Sequence, residues 1–157
     1  MKSKNWLTQI VCLGSVVFAG LVNATITPLQ SLNFGTIVVT KNTFASTITI
    51  DPAGNVQVVG GIVIISPGNH AVYELSDLPA NRNISVDVAS LNSNMIPSVA
   101  SEETFNFSLV TSGNPVITDN NGVALLSVGG KITTSGSGGI RFTDADYTAV
   151  IQITINL

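Results

Sequence analysis

The last eleven residues, Tyr147-Thr-Ala-Val-Ile-Gln-Ile-Thr-Ile-Asn-Leu157, alternate between apolar and polar side chains almost without interruption. A repeat of two residues places alternate side chains on opposite faces of a β-strand. This stretch therefore predicts a half-buried C-terminal strand that pairs with another strand. Val150 is the single apolar residue on the otherwise polar face. The apolar face of this strand consists of Tyr147, Ala149, Ile151, Ile153, Ile155 and Leu157.

The same period recurs upstream, in a chain with few Glu, Lys, Arg or Met residues to favour helices. Turn residues separate several runs, as in Asp51-Pro-Ala-Gly54 and Asp119-Asn-Asn-Gly122. We predict that Gly129-Gly130 ends one strand before the next begins, and that residues 91–101 form a long surface connection. The spacing predicts an all-β fold, a single immunoglobulin-like β-sandwich of about seven to nine strands. The predicted strands upstream of the C-terminal one are residues 32–40, 43–51, 55–66 with a bulge at Gly60-Gly61, 71–76, 83–90, 104–110, 123–128 and 131–134.

The first 24 residues have the pattern of a secretory signal peptide. Lys2 and Lys4 precede an apolar run over residues 6–22, and small or aliphatic residues follow at the positions that a signal peptidase reads. We predict cleavage between Ala24 and Thr25, which leaves residues 25–157 as one β-sandwich domain. The alternative is a retained membrane anchor, for which the apolar run is at the lower limit of length. Cleavage predicts a protein of the periplasm, the outer surface or the extracellular space, with no membrane insertion.

Composition excludes several classes of protein. Charged residues make up 10% of the chain, and beyond residue 24 there are four basic and nine acidic residues. A protein that binds nucleic acid through a basic surface needs clustered Lys and Arg, so we predict no nucleic-acid partner. The single Cys lies in the predicted signal peptide and cannot form a disulfide within the chain. The folded domain must therefore be stabilised by its core.

No motif predicts a catalytic, cofactor or metal site. His70 is the single His of the chain, and it follows turn residues. A metal site needs several ligands, so we interpret His70 as a solvated turn residue. Glu102 and Glu103 are adjacent, so a strand would point them to opposite faces, and we interpret both as surface charges. We predict that the protein is not an enzyme and has no cofactor.

Two aspartates near the C-terminus do not make a calcium site by themselves. Asp144 and Asp146 can supply oxygen atoms to Ca²⁺, but a calcium loop needs more ligands than these two.

Most Phe and Tyr residues lie in phase with apolar neighbours, as Phe44 does with Ile48 and Ile50. We predict that these aromatic side chains belong to the core.

Several short motifs follow one another in a recognisable order. They are Leu32-Asn-Phe-Gly-Thr-Ile37, Thr47-Ile-Thr-Ile-Asp-Pro-Ala-Gly-Asn55, residues 73–79, Ile84-Ser-Val-Asp87, Gly122-Val-Ala-Leu-Leu-Ser-Val-Gly-Gly130 and the strand after Asp146-Tyr147. Their order resembles a family of small secreted bacterial β-proteins, catalogued as domain of unknown function four-four-zero-two. The chain departs from the family pattern near its end. Asp146-Tyr-Thr-Ala149 stands where Gly-x-Tyr-x-Gly is expected, and Asn156-Leu157 stands where a terminal Tyr is expected.

The layout is also similar to that of the pilin subunits of chaperone–usher fimbriae, which are small secreted immunoglobulin-like domains. This resemblance implies a C-terminal strand read by a periplasmic chaperone and an N-terminal extension that completes the sheet of the next subunit. Residues 25–34 are the candidate donor strand. Leu29 lies on its other face, and Pro28 cannot donate a backbone hydrogen bond. The alternative is that this segment is the first strand of a complete sandwich. The donor face consists of Ile26, Pro28, Leu32 and Phe34.

These resemblances and the low charge predict a secreted cell-surface structural protein, a fimbria-like or surface-assembly subunit that acts by β-strand pairing without catalysis. Its expected partners are copies of itself or a periplasmic chaperone. The alternative function is a monomeric secreted binding module for carbohydrate or a surface partner. Its binding surface would be formed by the turns and residues 91–101.

Deletion of residues 25–30 should separate these two functions. An assembly subunit should lose polymerisation and keep its fold, because the donor segment is missing, whereas a monomeric binder should lose nothing. The measurement is a gel of material sheared from the native cell surface, run with and without boiling. A ladder of multiples that collapses on boiling indicates strand-exchanged subunits.

Overall fold

The computed structural model describes residues 24–138 and 142–157, and these residues form thirteen strands and no helix. No described helix is therefore available to cross a membrane. The strands are β1 Thr25–Gln30, β2 Thr36–Val39, β3 Thr47–Ile50, β4 Val56–Val59, β5 Ile62–Ser66, β6 Ala71–Ser76, β7 Asn83–Ser90, β8 Ile96–Pro97, β9 Asn106–Thr111, β10 Val116–Ile117, β11 Ala124–Thr133, β12 Tyr147–Thr148 and β13 Ile151–Asn156.

Six strands form one antiparallel sheet around β11, which is the longest strand. The first half of β11 pairs with β6, and its second half pairs with both β3 and β9. The sheet extends from β6 to β1 and from β3 to β4. Alternate residues of β11 point to one face, where Leu126, Val128 and Ile132 are buried. The sheet therefore has one continuous apolar face.

The second layer packs against that face in separate pieces. The sheet β10-β7-β13 covers the first half of β11, where Ile84, Val86, Leu126 and Val128 share one core cluster. The two-stranded sheet of β2 and β5 covers the second half, where Ile62 packs in another cluster with residues of β3, β9 and β11. β4 and β5 lie in different sheets, so the prediction that residues 55–66 form one strand with a bulge is wrong. The fold is an all-β, open sandwich, so the fold class predicted from the sequence is confirmed.

The structure corrects the prediction of a break at Gly129-Gly130, since β11 runs through both residues without interruption. A Cβ atom at Gly130 would lie 2.8 Å from Leu32 and 3.0 Å from the rings of Phe34 and Phe107. A Cβ atom at Gly129 would collide with the carbonyl oxygen of Ile50. Glycine is required here because core side chains and a neighbouring strand occupy the space of a side chain.

Other differences from the sequence-based prediction arise at the edges. The number of strands exceeds nine partly because β8, β10 and β12 each have two residues, too few to show a period. The predicted connection over residues 91–101 contains one of them, β8. Phe44 was predicted to be in the core but is 49% exposed, because β3 begins only at Thr47.

Both predicted aspartate turns are present and share one geometry. Asp51 and Asp119 each accept on Oδ1 the backbone N–H groups two and four residues ahead, at 2.8 to 2.9 Å. The pKa of Asp51 is lowered from its ordinary value of 3.8, chiefly by the side chain of Asn55. The pKa of Asp119 is lowered chiefly by the N–H of Val123. The two carboxylates therefore stabilise the folded protein above pH 3.8, and this stabilisation is lost as the pH falls through their lowered pKa values in the folded state.

We expect Gly129→Ala to lower the free energy of unfolding by about 1–3 kcal/mol, because the added methyl group collides with the Ile50 carbonyl. Chemical denaturation measures the change. The matched control is Gly113→Ala, since a Cβ atom at Gly113 meets nothing within 4 Å. Equal stability of the two variants would contradict the close approach of β3 and β11.

Candidate functional site

The two pieces of the second layer do not meet along their facing edges. Among the described residues, β2 pairs only with β5, β12 only with β8, and β13 only with β7. The free edge of β2 and the free edges of β12 and β13 therefore face a gap in the layer. We call this gap the groove; its walls are residues 31–43 on one side and residues 142–151 on the other.

The groove has a volume of about 1560 Å³. Its floor is the apolar face of the six-stranded sheet, where Phe105, Phe107 and Ile132 are buried. Ile37 and Val39 of β2 also face this interior. The apolar side chains that line the opposite wall are Phe142, Tyr147, Ala149, Val150 and Ile151.

Aromatic contacts fix one end of the groove. Phe142 stacks on Phe105 with ring centres 4.4 Å apart, and Tyr147 meets the same ring edge-on at 5.0 Å. The Tyr147 hydroxyl donates to the carbonyl oxygen of Thr143 at 3.0 Å and lies 3.1 Å from Ser101 Oγ. Edge-to-face and stacked aromatic pairs stabilise by about 0.5–1.5 kcal/mol beyond their burial. This end of the second wall is therefore held in place by its own side chains.

A polar cluster ties the first wall to the chain that precedes the second wall. The Asn42 amide donates to Ser135 Oγ at 3.0 Å and to Ser137 Oγ at 3.2 Å, and its Oδ1 accepts the N–H of Gly136 at 2.9 Å. Ser137 in turn donates to Glu103 Oε1 at 2.7 Å. Asn42 and Glu103 are both 8% exposed. We call these residues the Asn42–Glu103 cluster, and its bonds set the position of residue 138, which lines the groove.

The structure contradicts the interpretation of both Glu102 and Glu103 as surface charges. Glu102 is exposed, but Glu103 is buried at the base of the Asn42–Glu103 cluster. Adjacent residues do point to opposite sides, as expected. The sequence could not show that a loop with two Ser hydroxyls covers one of those sides.

The described part of the groove carries few charges. Its charged lining residues are Lys41, Asp144 and Asp146, and all three are exposed. Within the described residues no group of three or more His, Cys, Asp or Glu lies close enough to hold a metal ion. His70 is half-buried between β5 and β6, with its ring beside Gly54 of the Asp51 turn. The described lining offers apolar contacts and free backbone edges.

The candidate donor segment lies on its own chain in the structure. Residues 25–30 form β1, which pairs antiparallel with β6, while Ile26 packs against the first core cluster and Pro28 is exposed. Leu32 contacts both clusters, and Phe34 is 9% exposed in the second. Exchange of this segment between copies stays a prediction. Residues 1–23, which carry most of the predicted signal peptide, lie outside the described residues; Ala24 packs against the first cluster.

The predicted C-terminal strand is divided into β12 and β13, and its two faces alternate in burial as far as Asn156. The odd residues are shared between the two clusters: Tyr147, Ala149 and Ile151 pack on the second, and Ile153 and Ile155 on the first. Leu157 is exposed. β13 pairs with β7 of the same chain, so one edge of the C-terminal strand is used within the chain and the other faces the groove.

Comparison with known families supports the resemblance drawn from the motifs. The model of a domain of unknown function, DUF4402, matches residues 24–157. The chain belongs to this family. The match covers both layers of the sandwich and both walls of the groove. The curated proteins contain no match to this chain, and the solved structures contain none either.

Sequence analysis missed the groove, because a gap between two non-consecutive strands has no local pattern. The sequence shows only that the strands beside it are unusual. β5 reads Ile62-Val-Ile-Ile-Ser66 and β2 reads Thr36-Ile-Val-Val39, so both strands have apolar side chains on both faces. Such runs are typical of strands that are covered on both sides. The outward residues Val38, Val63 and Ile65 are nevertheless 47% to 65% exposed.

We expect Glu103→Ala to lower the free energy of unfolding by about 1.5–3 kcal/mol, because Ser137 loses a charge-assisted hydrogen bond in a buried setting. Glu103→Gln, which keeps an acceptor, should lose less. The neighbouring Glu102→Ala is the control and should stay within about 0.5 kcal/mol, because that residue is exposed. Denaturant unfolding followed by circular dichroism measures all three; an equal loss for Glu102 and Glu103 would contradict the cluster.

Proposed function

We propose that this protein is a secreted cell-surface structural subunit of the fimbria-like type, which assembles by β-strand pairing and performs no catalysis. The observation that carries the proposal is the groove, a gap in one sandwich layer with a free strand edge on each side. A strand placed there would join β5-β2 and β13-β7-β10 into one sheet. Both its edges would then form backbone hydrogen bonds, as in strand addition to an open sheet.

The chemistry of the edges supports this proposal. Edge strands of monomeric proteins are commonly protected by Lys, by inward charges, by Pro or by a covering loop. No residue of β2, β12 or β13 is charged or a Pro. The floor of the groove between these edges is apolar and accessible to solvent. Burial of such surface is stabilising by about 25 cal/mol per Å². An occupant therefore gains both backbone pairing and apolar contact.

The proposed absence of catalysis is argued from the described residues that line the groove. The groove presents aromatic and aliphatic side chains with three exposed charges, and His70 is not among its lining residues. The alternative proposal, a monomeric binding module, uses the same groove or the turns for a ligand. It predicts a protein that never leaves the monomeric state, which the next experiment measures.

We expect Ala149→Arg to reduce surface assemblies of this protein at least tenfold, because it places a charge where an inserted strand must pack. Ala149 packs against the second core cluster and lines the groove. Its half-buried position allows the long Arg side chain to reach solvent in the empty groove. The measurement is the unboiled ladder of sheared surface material, probed for this protein.

The matched control is Gln152→Arg, on the opposite face of the same C-terminal strand. Gln152 is exposed, packs on neither core cluster and does not line the groove. This variant should assemble as the parent does. A single monomer band in the parent protein would refute strand-exchange assembly in that material and favour the binding module. Equal ladders in both variants would show that the groove takes no part in assembly.

A further inference from the structure

The size and shape of the groove specify the strand that fits it. This inference rests on the proposed function and identifies the occupant of its site. The second wall lines the groove over ten residues, 142–151, and the first wall over residues 31–43. An extended segment that spans the second wall is therefore about ten residues long.

With the secretion and the cleavage at Ala24 that the proposed function includes, the N-terminal segment of a second copy can supply only part of that length. Residues 31–35 are fixed in their own domain: Asn33 and Asn69 exchange backbone hydrogen bonds at 2.9 and 2.7 Å, and Phe34 is buried against Phe107. Gly35 lies against the backbone of residues 66–68. Only the six residues of β1 could leave without opening the second core cluster. They fill a little more than half of the groove.

The side chains of β1 also match the floor poorly. Ile26 and Pro28 are its only apolar residues on one face, and Leu29 is its only large apolar residue on the other. Pro28 has no N–H to donate to a free edge. A shift in the register of pairing with β6 follows Pro28, so β1 is irregular even on its present partner. A strand of this composition would leave most of the aromatic floor uncovered.

Every other strand among the described residues is already paired and contributes to the two layers. We infer that the groove binds an extended segment of a different protein, about ten residues long, uncharged, with apolar side chains at alternate positions. Alternate apolar side chains contact Phe105, Phe107 and Ile132, and the polar ones between them face solvent. The protein thus accepts a strand from another kind of subunit and does not form chains with copies of itself.

The first test locks β1 in place with a disulfide. Thr27 and Glu74 are directly opposite in the ladder between β1 and β6, so Thr27→Cys together with Glu74→Cys can be oxidised to fix β1 on its own chain. The locked protein should appear in surface assemblies at the level of its reduced form, within about twofold. Loss of the ladder on oxidation, restored by reduction, would identify β1 of a second copy as the occupant. That result overturns the inference and leaves the proposed function intact.

The second test supplies strands to the purified, secreted protein. The probe is a ten-residue peptide with Ile or Val at alternate positions and Thr or Ser between them. The control is the same peptide with alternate backbone amides N-methylated, which cannot pair along one edge. Hydrogen exchange should show at least tenfold protection of amides in both β2 and residues 147–151 with the probe. The methylated peptide should give none, and a peptide of residues 25–30 should bind about a hundredfold more weakly than the probe.

The two failures are distinguishable in this design. Equal or tighter binding of the residues 25–30 peptide would overturn the inference, because the chain's own segment would then suffice. Absence of protection in β2 and residues 147–151 with every peptide would overturn the inference and the proposed function together. The Ala149→Arg variant should lose the protection given by the probe, whereas Gln152→Arg should retain it.

Discussion

The rest of the structure depends on the backbone pairing of β11. This strand holds β6 along its first half and β3 and β9 along its second half. Its inward residues contribute to both core clusters, so each half of the second layer packs on the same strand. Gly129 and Gly130 make this possible, because any side chain there would displace either β3 or the rings of Phe34 and Phe107. One uninterrupted strand thereby creates an apolar face wider than the second layer covers.

A buried corner keeps the two-stranded sheet of β2 and β5 apart from the rest of the second layer. Ser46 is fully buried; its backbone N–H donates to Thr134 Oγ1 at 2.9 Å, and its Oγ accepts the N–H of Gly61 at 2.8 Å. Gly60 and Gly61 form the bend by which the chain passes from β4 in the six-stranded sheet to β5 in the two-stranded sheet. The Asn42–Glu103 cluster anchors the loop after β2 in turn. The groove is therefore bounded by hydrogen-bonded corners.

The same features support the proposed structural role. The buried polar groups of Ser46, Thr118 and Thr134 bond to backbone or to one another, and Glu103 bonds to a Ser hydroxyl. Across the described ranges, no buried side-chain nitrogen or oxygen lacks a partner. These groups hold loops and corners in place. The described lining of the groove leaves an apolar floor and unpaired backbone accessible, and the extended peptide that we propose would satisfy both.

The sequence by itself determined the strands, because side-chain alternation is a local property that each strand carries in its own residues. The C-terminal strand, the aspartate turns at Asp51 and Asp119 and the all-β class followed from such patterns. Only the tertiary structure decided that Gly129-Gly130 continues a strand, that Glu103 is buried and that β1 lies on β6. It also decided that β2 and residues 147–151 lie on opposite sides of a groove. Each of these depends on which distant segments become neighbours, and no local period encodes that choice.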